Sequence, residues 1–154
     1  MARSVIGVIA DTHNLLRPEA IEALAGSDLI LHAGDIGSPD ILPRLRQIAP
    51  VYAVRGNIDI APWAARLPLT EVVQVRDHYF YLLHDIHTLD LNPHAAGFAA
   101  LIFGHSHVPS HELRDGVHYF NPGSAGPRRF RLPISLGRIH IQDGSIRPEL
   151  LTLA

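Results

Sequence analysis

Cysteine and lysine are both absent from this chain of 154 residues. The lack of cysteine excludes disulfide bonds, thiolate nucleophiles and cysteine-ligated zinc sites, and it fits a cytoplasmic location. No apolar run approaches the roughly 20 residues that a helix needs to cross a bilayer. The short apolar stretch near the N-terminus leads into an acidic motif and not into a small-residue cleavage site. We therefore expect neither a membrane span nor a signal peptide.

A strong charge of either sign is also lacking, because the formal net charge is -2 and the pI is about 6.6. This balance argues against binding to duplex nucleic acid or to a membrane surface through a basic field. All 13 basic residues are arginines. Uniform arginine use is more often a genomic bias than an adaptation to phosphate, although the guanidinium fork suits phosphate. With 47% hydrophobic residues, the chain is expected to form one compact domain over residues 1–154.

Strand and helix patterns alternate in the first half of the chain, and strands dominate the second half. Strands are predicted at residues 4–10, 29–32, 51–55, 71–75, 79–83, 100–103, 117–120, 134–141 and 146–153. Helices are predicted at residues 18–25, from the N-cap Ser38 onward, and at residues 91–98. The pattern predicts an α/β (α+β) fold in which two mixed sheets pack face to face with helices outside.

Five apolar runs end in polar side chains that suit metal ions. Ligands of open α/β sheets bind outside the carboxyl ends of the strands, so neighbouring strand ends would converge on one crevice. Side chains two apart on an extended segment point the same way, which would direct Asp11 and His13 toward one ion. One histidine at a strand end is usually structural, but five such endings together favour a metal site. The candidate ligands are Asp11, His13, Asp35, Asn57, His84, His105 and His107.

The chemistry of these donors narrows the kind of ion. Mixed oxygen and nitrogen donors suit Mn, Fe, Zn, Ni or Co better than Ca or Mg, which prefer oxygen alone. Asp35 lies in the middle of the series and is the carboxylate expected to bridge two ions. Gly34, Gly56 and Gly104 precede ligands, where a residue without a side chain allows a tight turn and a close backbone approach.

Taken in order, these segments resemble a known set of motifs, that of the calcineurin-like metallophosphoesterase superfamily. They are Asp11-Thr12-His13, Gly34-Asp35, Gly56-Asn57-Ile58-Asp59, His84 and Gly104-His105-Ser106-His107, with Asn121-Pro122-Gly123-Ser124 resembling a later segment. The last segment is similar to that of the small single-domain phosphodiesterase branch, to which the retromer scaffold subunit is related. The resemblance implies a four-layer αββα sandwich with a dinuclear metal centre.

The resemblance also implies how two divalent ions would be held. One ion would bind Asp11, His13, Asp35 and His107, and the other Asp35, Asn57, His84 and His105. Manganese is the expected metal, with Ni, Zn, Fe and Co as alternatives. The implied activity is hydrolysis of small phosphodiesters by attack of a metal-bridging hydroxide. The expected partner is therefore a small phosphodiester and neither duplex nucleic acid nor a membrane, and a homodimer is possible.

Two other functions stay open at this point. The first is a phosphomonoesterase or nucleotidase, which would use the same centre. The second is a protein interaction scaffold that keeps the metal site. The scaffold branch has lost some site residues, notably at the position of His84, and this chain retains that histidine. The retained ligand set favours the enzyme.

The sequence departs from the superfamily at Ile58, where many members carry a histidine that assists the leaving group. Isoleucine cannot donate a proton, so Asp59 and His87 are candidates for this catalytic role. For each of them a structural role is the stronger alternative: a loop acceptor for Asp59, and an exposed or supporting residue for His87. Asn14, together with Asn57, is a candidate for substrate binding, with a turn role as its alternative.

A small basic cluster follows the Asn121–Ser124 loop. It consists of Arg128, Arg129 and Arg131. It could contact phosphate, although a solvated loop is the favoured interpretation.

Overall fold

A computed structural model describes residues 3–153 of the chain. Within this range, ten strands form two sheets of five strands each. The first sheet has the order β10-β9-β1-β2-β3 and contains β1 (Arg3–Ile9), β2 (Leu29–His32), β3 (Val51–Ala53), β9 (Ser135–Gln142) and β10 (Ser145–Thr152). The second has the order β4-β5-β6-β8-β7 and contains β4 (Thr70–Val75), β5 (His78–Leu83), β6 (Ala100–Ile102), β7 (Ser110–Arg114) and β8 (Val117–Asn121).

Both sheets are mixed, and the parallel strands lie at one side of the first sheet and at the centre of the second. Strands β1, β2 and β3 pair in parallel in the first sheet, and β5, β6 and β8 do so in the second. Parallel neighbours end at the same edge of a sheet. The segments that follow β1, β2, β3, β5 and β6 can therefore meet at one edge of the sandwich, as the sequence predicts.

The core lies between the two sheets. Ile6 and Val8 of the first sheet and Phe80 and Leu82 of the second belong to one buried apolar cluster there. Full burial of an aliphatic or phenylalanine side chain contributes about 1.5–3 kcal/mol, so this layer supplies much of the cohesion between the sheets. The predicted architecture of two mixed sheets packed face to face is confirmed.

The outer faces are covered differently. Helices α1 (Pro18–Leu24) and α2 (Ile41–Arg46) pack on the outside of the first sheet, where Leu24 and Leu45 join a second buried cluster. The outside of the second sheet is covered by the segment after β5, which contains one turn of 3-10 helix at Ile86–Thr88. None of the helices within residues 3–153 is long and apolar enough to cross a membrane.

Two helix predictions are wrong in detail. Residues 91–98 form turns, because the Asn92 side chain accepts the Ala95 N–H and Gly97 adopts a φ of 82°, in the left-handed region, which stops a helix after one turn. Ser38 is not an N-cap, since α2 begins at Ile41 with Asp40 in that position. The Ser38 hydroxyl donates to the Asp40 carboxylate instead.

Candidate metal centre

The carboxyl ends of five strands bring the predicted ligands together. Asp11, His13 and His107 form a first group, and Asp35, His84 and His105 form a second group. Within each group, one ligand atom from every residue lies within 4.8 Å of the others. The sequence prediction that these side chains converge therefore agrees with the structure.

Asn57 lies beside the second group. Its Oδ1 is 3.1 Å from His84 Nε2 and 3.2 Å from His105 Nδ1. Turned the other way, the amide nitrogen would lie 3.2 Å from Asp35 Oδ2 and could donate a hydrogen bond to it. The amide can thus serve the carboxylate through its nitrogen or a cation through its oxygen.

Asp35 lies between the two groups. Its Oδ2 is 3.4 Å from His13 Nε2 in the first group and 3.3 Å from His84 Nε2 in the second. Asp11 Oδ1 is more distant from its neighbours, at 3.6 Å from the Nε2 atoms of both His13 and His107. The geometry therefore puts Asp35 where the sequence predicts a bridging carboxylate.

Several buried polar atoms of this cluster have no hydrogen-bond partner among the described residues. They are Asp11 Oδ1, His13 Nε2 and both ring nitrogens of His107. Leaving such groups buried and unpaired costs about 1–3 kcal/mol each. Two donors that each lie about 2.0–2.2 Å from one ion are themselves roughly 3–4 Å apart, which matches the separations here. The residues therefore fit divalent cations.

One oxygen of each candidate carboxylate ligand is held by a backbone N–H from another ligand loop. Asp11 Oδ2 accepts from the His105 N–H at 3.1 Å, and Asp35 Oδ1 accepts from the Ile58 N–H at 3.1 Å. The remaining oxygens, Asp11 Oδ1 and Asp35 Oδ2, are the ones directed at the histidine rings. Such contacts behind the ligands fix their orientation.

The ring of His84 is oriented in a similar way. Its Nδ1 lies 2.8 Å from the Ala33 carbonyl oxygen and donates to it, which leaves Nε2 without a proton and directed at Asp35. A ligating histidine commonly donates its other ring N–H to such an acceptor. His84 is therefore preset as a ligand through Nε2.

Sequence reasoning missed His32, which lies behind the ligands. Its Nδ1 accepts the Gly34 N–H at 3.1 Å, so Nε2 carries the proton and donates to Thr12 Oγ1 at 3.0 Å. The Thr12 hydroxyl in turn donates to the Ile36 carbonyl at 2.8 Å. Burial, and then the charge of His84, lower the pKa of His32 to about 3, so the ring is neutral. A lone histidine within the apolar run L-I-L-H-A was the available signal.

Asp59 lies behind the site and does not line the cleft described below. It is buried, and its carboxylate accepts backbone N–H groups from Ile36 at 3.0 Å, Gly37 at 3.1 Å and Gly56 at 2.9 Å. These bonds tie the loop that carries Asp35 to the loop that carries Asn57. The geometry favours the loop-acceptor alternative for Asp59 over a catalytic role.

The other two polar candidates also do not line the cleft. The His87 side chain is 88% exposed, and its Nδ1 contacts Asp85 Oδ1 at 3.1 Å. Asn14 is exposed, and its backbone N–H donates to the Ile36 carbonyl at 2.9 Å. The turn role of Asn14 and the exposed position of His87, which were the alternatives, match the structure.

The ligand backbones adopt a conformation that L-residues seldom use. Five of the seven candidate ligands have positive φ: Asp11 at 54°, His13 at 45°, Asp35 at 58°, His105 at 70° and His107 at 65°. The alignment expected from an extended segment is therefore wrong for Asp11 and His13, since β1 already ends at Ile9. The side chains converge through left-handed loops, and strained residues of this kind cluster at functional sites.

Close backbone approach explains two glycines at the site. A Cβ on Gly56 would lie 2.0 Å from Asp35 Oδ1, and one on Gly126 would lie 2.2 Å from the Thr12 carbonyl oxygen. The neighbouring Asn121–Ser124 loop supports the site. Ser124 Oγ donates to the Asp11 carbonyl at 3.0 Å, and Asn121 Nδ2 donates to the Gly104 carbonyl at 3.1 Å.

A cleft of about 760 Å³ opens above the ligands. Among the described residues it is lined by His13, Asp35, Asn57, Ile58, His105, Ser106, His107, Pro127, Arg128, Arg129, Phe130 and Leu132. Arg128 and Arg129 thus line the wall of the cleft. All three arginines of the basic cluster are exposed, so the favoured interpretation of a solvated loop also agrees with the structure. Phe130, which the sequence interpretation missed, lines the same wall.

The two carboxylates control the protonation of the rings between them. Contact with Asp11, and then with Asp35, raises the pKa of His13 to about 9. Burial works to lower the pKa of His84, but the contact with Asp35 and the charges of Asp11 and Asp35 together outweigh burial, and the pKa is raised. Burial lowers the pKa of His107, and the nearby charges of His13 and Arg129 act in the same direction. Without a cation, a proton on His13 offsets part of the negative charge of the carboxylates.

The chain resembles known proteins both in sequence and in fold. Residues 5–144 match the family model described as "Calcineurin-like phosphoesterase superfamily domain". A probable metallophosphoesterase of Methanothermobacter thermautotrophicus is 39% identical over 133 residues, covering 78% of this chain and 76% of the relative. The phosphodiesterase YfcE of Escherichia coli is 26% identical over 164 residues, covering 90% and 84%.

The fold also resembles that of a protein whose name does not refer to an enzyme activity. Vacuolar Protein Sorting 29 from Cryptosporidium parvum superposes with a TM-score of 0.78 at 20% identity, covering 97% of each chain. At this identity the likeness concerns the fold alone. The family match covers nearly all of the sequence and includes every candidate ligand. The chain therefore belongs to the calcineurin-like phosphoesterase superfamily.

Proposed function

We propose that this phosphoesterase is a metal-dependent phosphodiesterase that uses two divalent ions and acts on small phosphodiesters. The observation that carries the proposal is the cluster of buried, unpaired ligand atoms at the floor of the cleft, with Asp35 between its two groups. Asp11, His13, Asp35 and His107 would hold one ion, and Asp35, Asn57, His84 and His105 the other. Manganese is the proposed metal, with Ni, Zn, Fe and Co as alternatives.

When bound, such an ion pair supplies a nucleophile from water near neutral pH and stabilises charge on the phosphate. The protein's own contribution is to orient the donors. The His105 and Ile58 N–H groups hold the two carboxylates, and the Ala33 carbonyl holds the His84 ring. Arg129 lies on the cleft wall and adds positive charge near His107. This charge would offset the negative charge of a phosphate bound there.

Ile58 shapes the choice of substrate. It lines the cleft, is 40% exposed and has no proton to give to a leaving group. General acid catalysis is typically worth about 10²–10⁴-fold, so diesters with good leaving groups should react much faster than alkyl diesters. The open cleft also suits small diesters better than duplex nucleic acid. The cytoplasmic location and the possible homodimer stay predictions.

The direct test is hydrolysis of bis(4-nitrophenyl) phosphate by chelator-treated protein, with and without added Mn²⁺. We expect activity only with metal. 4-Nitrophenyl phosphate, assayed in parallel, separates the diesterase from the monoesterase alternative. A monoester preference of about tenfold or more, which is roughly 1.4 kcal/mol in transition-state stabilisation, would favour the monoesterase. No hydrolysis of either ester by metal-loaded protein would refute both.

A protein interaction scaffold is the second candidate function, and the fold likeness to Vacuolar Protein Sorting 29 favours it. Its test is the capture of a stoichiometric protein partner by the wild type and by Asp35→Asn. Equal capture by both, combined with no metal-dependent hydrolysis, would favour the scaffold over the enzyme.

A further inference from the structure

Phe130 is an aromatic residue of the cleft wall whose position metal binding does not explain. Its side chain is 84% exposed, yet it lines the same cleft as the candidate ligands His13 and His107. An apolar ring of this size is normally buried, because burial of aromatic surface stabilises a fold. Phe130 belongs to none of the buried apolar clusters of residues 3–153 and to none of the partly buried side chains packed against them.

Phe130 has an unusual backbone conformation and a charged neighbour. Phe130 has a φ of 54°, a left-handed conformation that bulky L-residues rarely adopt. The Arg129 guanidinium carbon lies 5.7 Å from the centroid of the ring, within reach of a cation–π contact. The wall therefore presents one aromatic face and positive charge together, next to the residues that would hold the metal ions.

Size and chemistry point to one kind of occupant. A cleft of about 760 Å³ lies within the roughly 300–1,000 Å³ range of small-molecule sites. A phosphate at the ligand groups would leave room in the same cleft for one of its ester groups beside the ring. An exposed aromatic ring binds planar rings by stacking, and it does so with little dependence on their hydrogen-bonding groups.

We propose that Phe130 is a specificity-determining residue, whose ring stacks on a planar aromatic group of the phosphodiester, such as a nucleobase or an aryl ester. This inference rests on the proposed function for the position of the phosphate. It adds the class of substrate: diesters with at least one aromatic group should be preferred over diesters with only alkyl groups.

The test measures binding, so that it does not depend on turnover. Metal-loaded protein is titrated calorimetrically with adenosine 5′-monophosphate and with ribose 5-phosphate, which differ only in the base, while phosphate release is followed in parallel. We expect the wild type to bind the adenosine compound about tenfold more tightly. Phe130→Leu should bring the ratio close to one without changing the affinity for ribose 5-phosphate, and Phe130→Trp should retain the preference.

Leu113→Ala is the matched control, because Leu113 is also a large exposed hydrophobic residue, at 60%, but lies on β7 outside the cleft. It should leave the ratio unchanged. Phenyl phosphate identifies the source of the ring. If phenyl phosphate also binds more tightly than ribose 5-phosphate, and Phe130→Leu removes this difference, the site accepts simple aryl esters. If phenyl phosphate shows no such difference, the site is assigned to nucleobases.

The outcomes separate this inference from the proposed function. Equal affinity of the wild type for the two sugar phosphates, or a preference that survives in Phe130→Leu, overturns the stacking role even if diesters are hydrolysed. A Phe130-dependent preference in a protein that hydrolyses no ester supports the stacking role and refutes the enzyme. Failure of both compounds to bind also overturns the inference.

Discussion

Two sets of buried polar side chains lie side by side at this edge of the sandwich, and they differ in how their hydrogen bonds are satisfied. The supporting set consists of Thr12, His32, Asp59, Asn121 and Ser124, and each of them bonds to the protein. The ligand set contains Asp11, His13 and His107, whose inward atoms have no such partner among the described residues.

The difference separates residues that stabilise the loops from residues that are available to bind an ion. A buried polar group that is fully bonded stabilises the loops it joins, as Asp59 does. A buried polar group left unpaired in a folded protein requires an explanation, and a role in binding a metal ion provides one. Residue type alone would not have made this distinction, because Asp11 and Asp59 are both buried aspartates of the same motif set, and only Asp11 has an unpaired oxygen.

The largest effect is expected from a change in the ligand set. Asp35→Asn removes the charge that lies between the two groups but keeps an oxygen to accept the Ile58 N–H. Mutation of a residue that only supports a metal ligand typically lowers metal affinity or activity by about 10–100-fold. Because Asp35 is itself a candidate ligand, kcat/KM for the diester should fall by more than about 100-fold. Asp77→Asn, in the exposed turn between β4 and β5, is the control and should retain full activity. If Asp35→Asn kept a tenth of the activity, the bridging role would be wrong.

A change in the supporting set should affect the fold. Asp59→Ala leaves the N–H groups of Ile36, Gly37 and Gly56 without their acceptor. Bonds to a charged acceptor contribute about 1.5–3 kcal/mol each but are not additive, so we expect the free energy of unfolding to fall by about 3 kcal/mol. Urea denaturation with a chelator present measures this. Asp77→Ala should change stability by less than about 0.5 kcal/mol, and an equally small effect of Asp59→Ala would remove the distinction between the sets.

Occupation of the ligand set should also be visible as stability. Manganese at about 100 times its dissociation constant should add about 2.7 kcal/mol per site. For a chain of this size that corresponds to an increase in Tm of roughly 5–10 °C. Thermal denaturation with and without metal measures the shift, and Asp35→Asn should show much less of it. The same shift in both proteins would indicate that the ions bind elsewhere.

The smallest expected effect is on the pH dependence of the free energy of unfolding. In the metal-free protein the pKa of His13 is raised to about 9 from 6.5. A raised pKa in the folded state means that the stabilisation is fully present below pH 6.5 and is lost as the pH rises through 9. The free energy of unfolding of chelator-treated protein should therefore decline across this window, and His13→Gln should flatten the decline. An unchanged slope in that variant would assign the pH dependence to another group.

The sequence predicted that the polar residues at the strand ends would converge, but it did not predict the loop conformations that bring them together. The apolar runs predict the central strands, and their polar tails predict the ligands, because parallel strands end at one edge. The left-handed backbones of Asp11 and Asp35 were not predictable, since they depend on loop packing between both sheets. Strand β7 was missed because it is exposed at every position and carries no apolar alternation.

The same limit applies to the supporting and rim residues. His32 and Asp59 carry the same functional groups as ligands do, and only their partners reveal that they support loops. Phe130 follows two arginines in a segment that reads as a polar loop, and its position depends on how residues 127–132 fold back over the cleft. Residue type therefore predicted which side chains could act, while the structure was needed to separate those that bond to the protein from those that do not.

The central claim is that the unpaired ligand set holds two divalent ions. Elemental analysis of metal-reconstituted, desalted protein tests it most directly. We predict two divalent ions per chain for the wild type and for Asp77→Asn, and fewer for Asp35→Asn. A wild-type protein that hydrolyses diesters at full rate with less than one bound ion per chain would contradict the account.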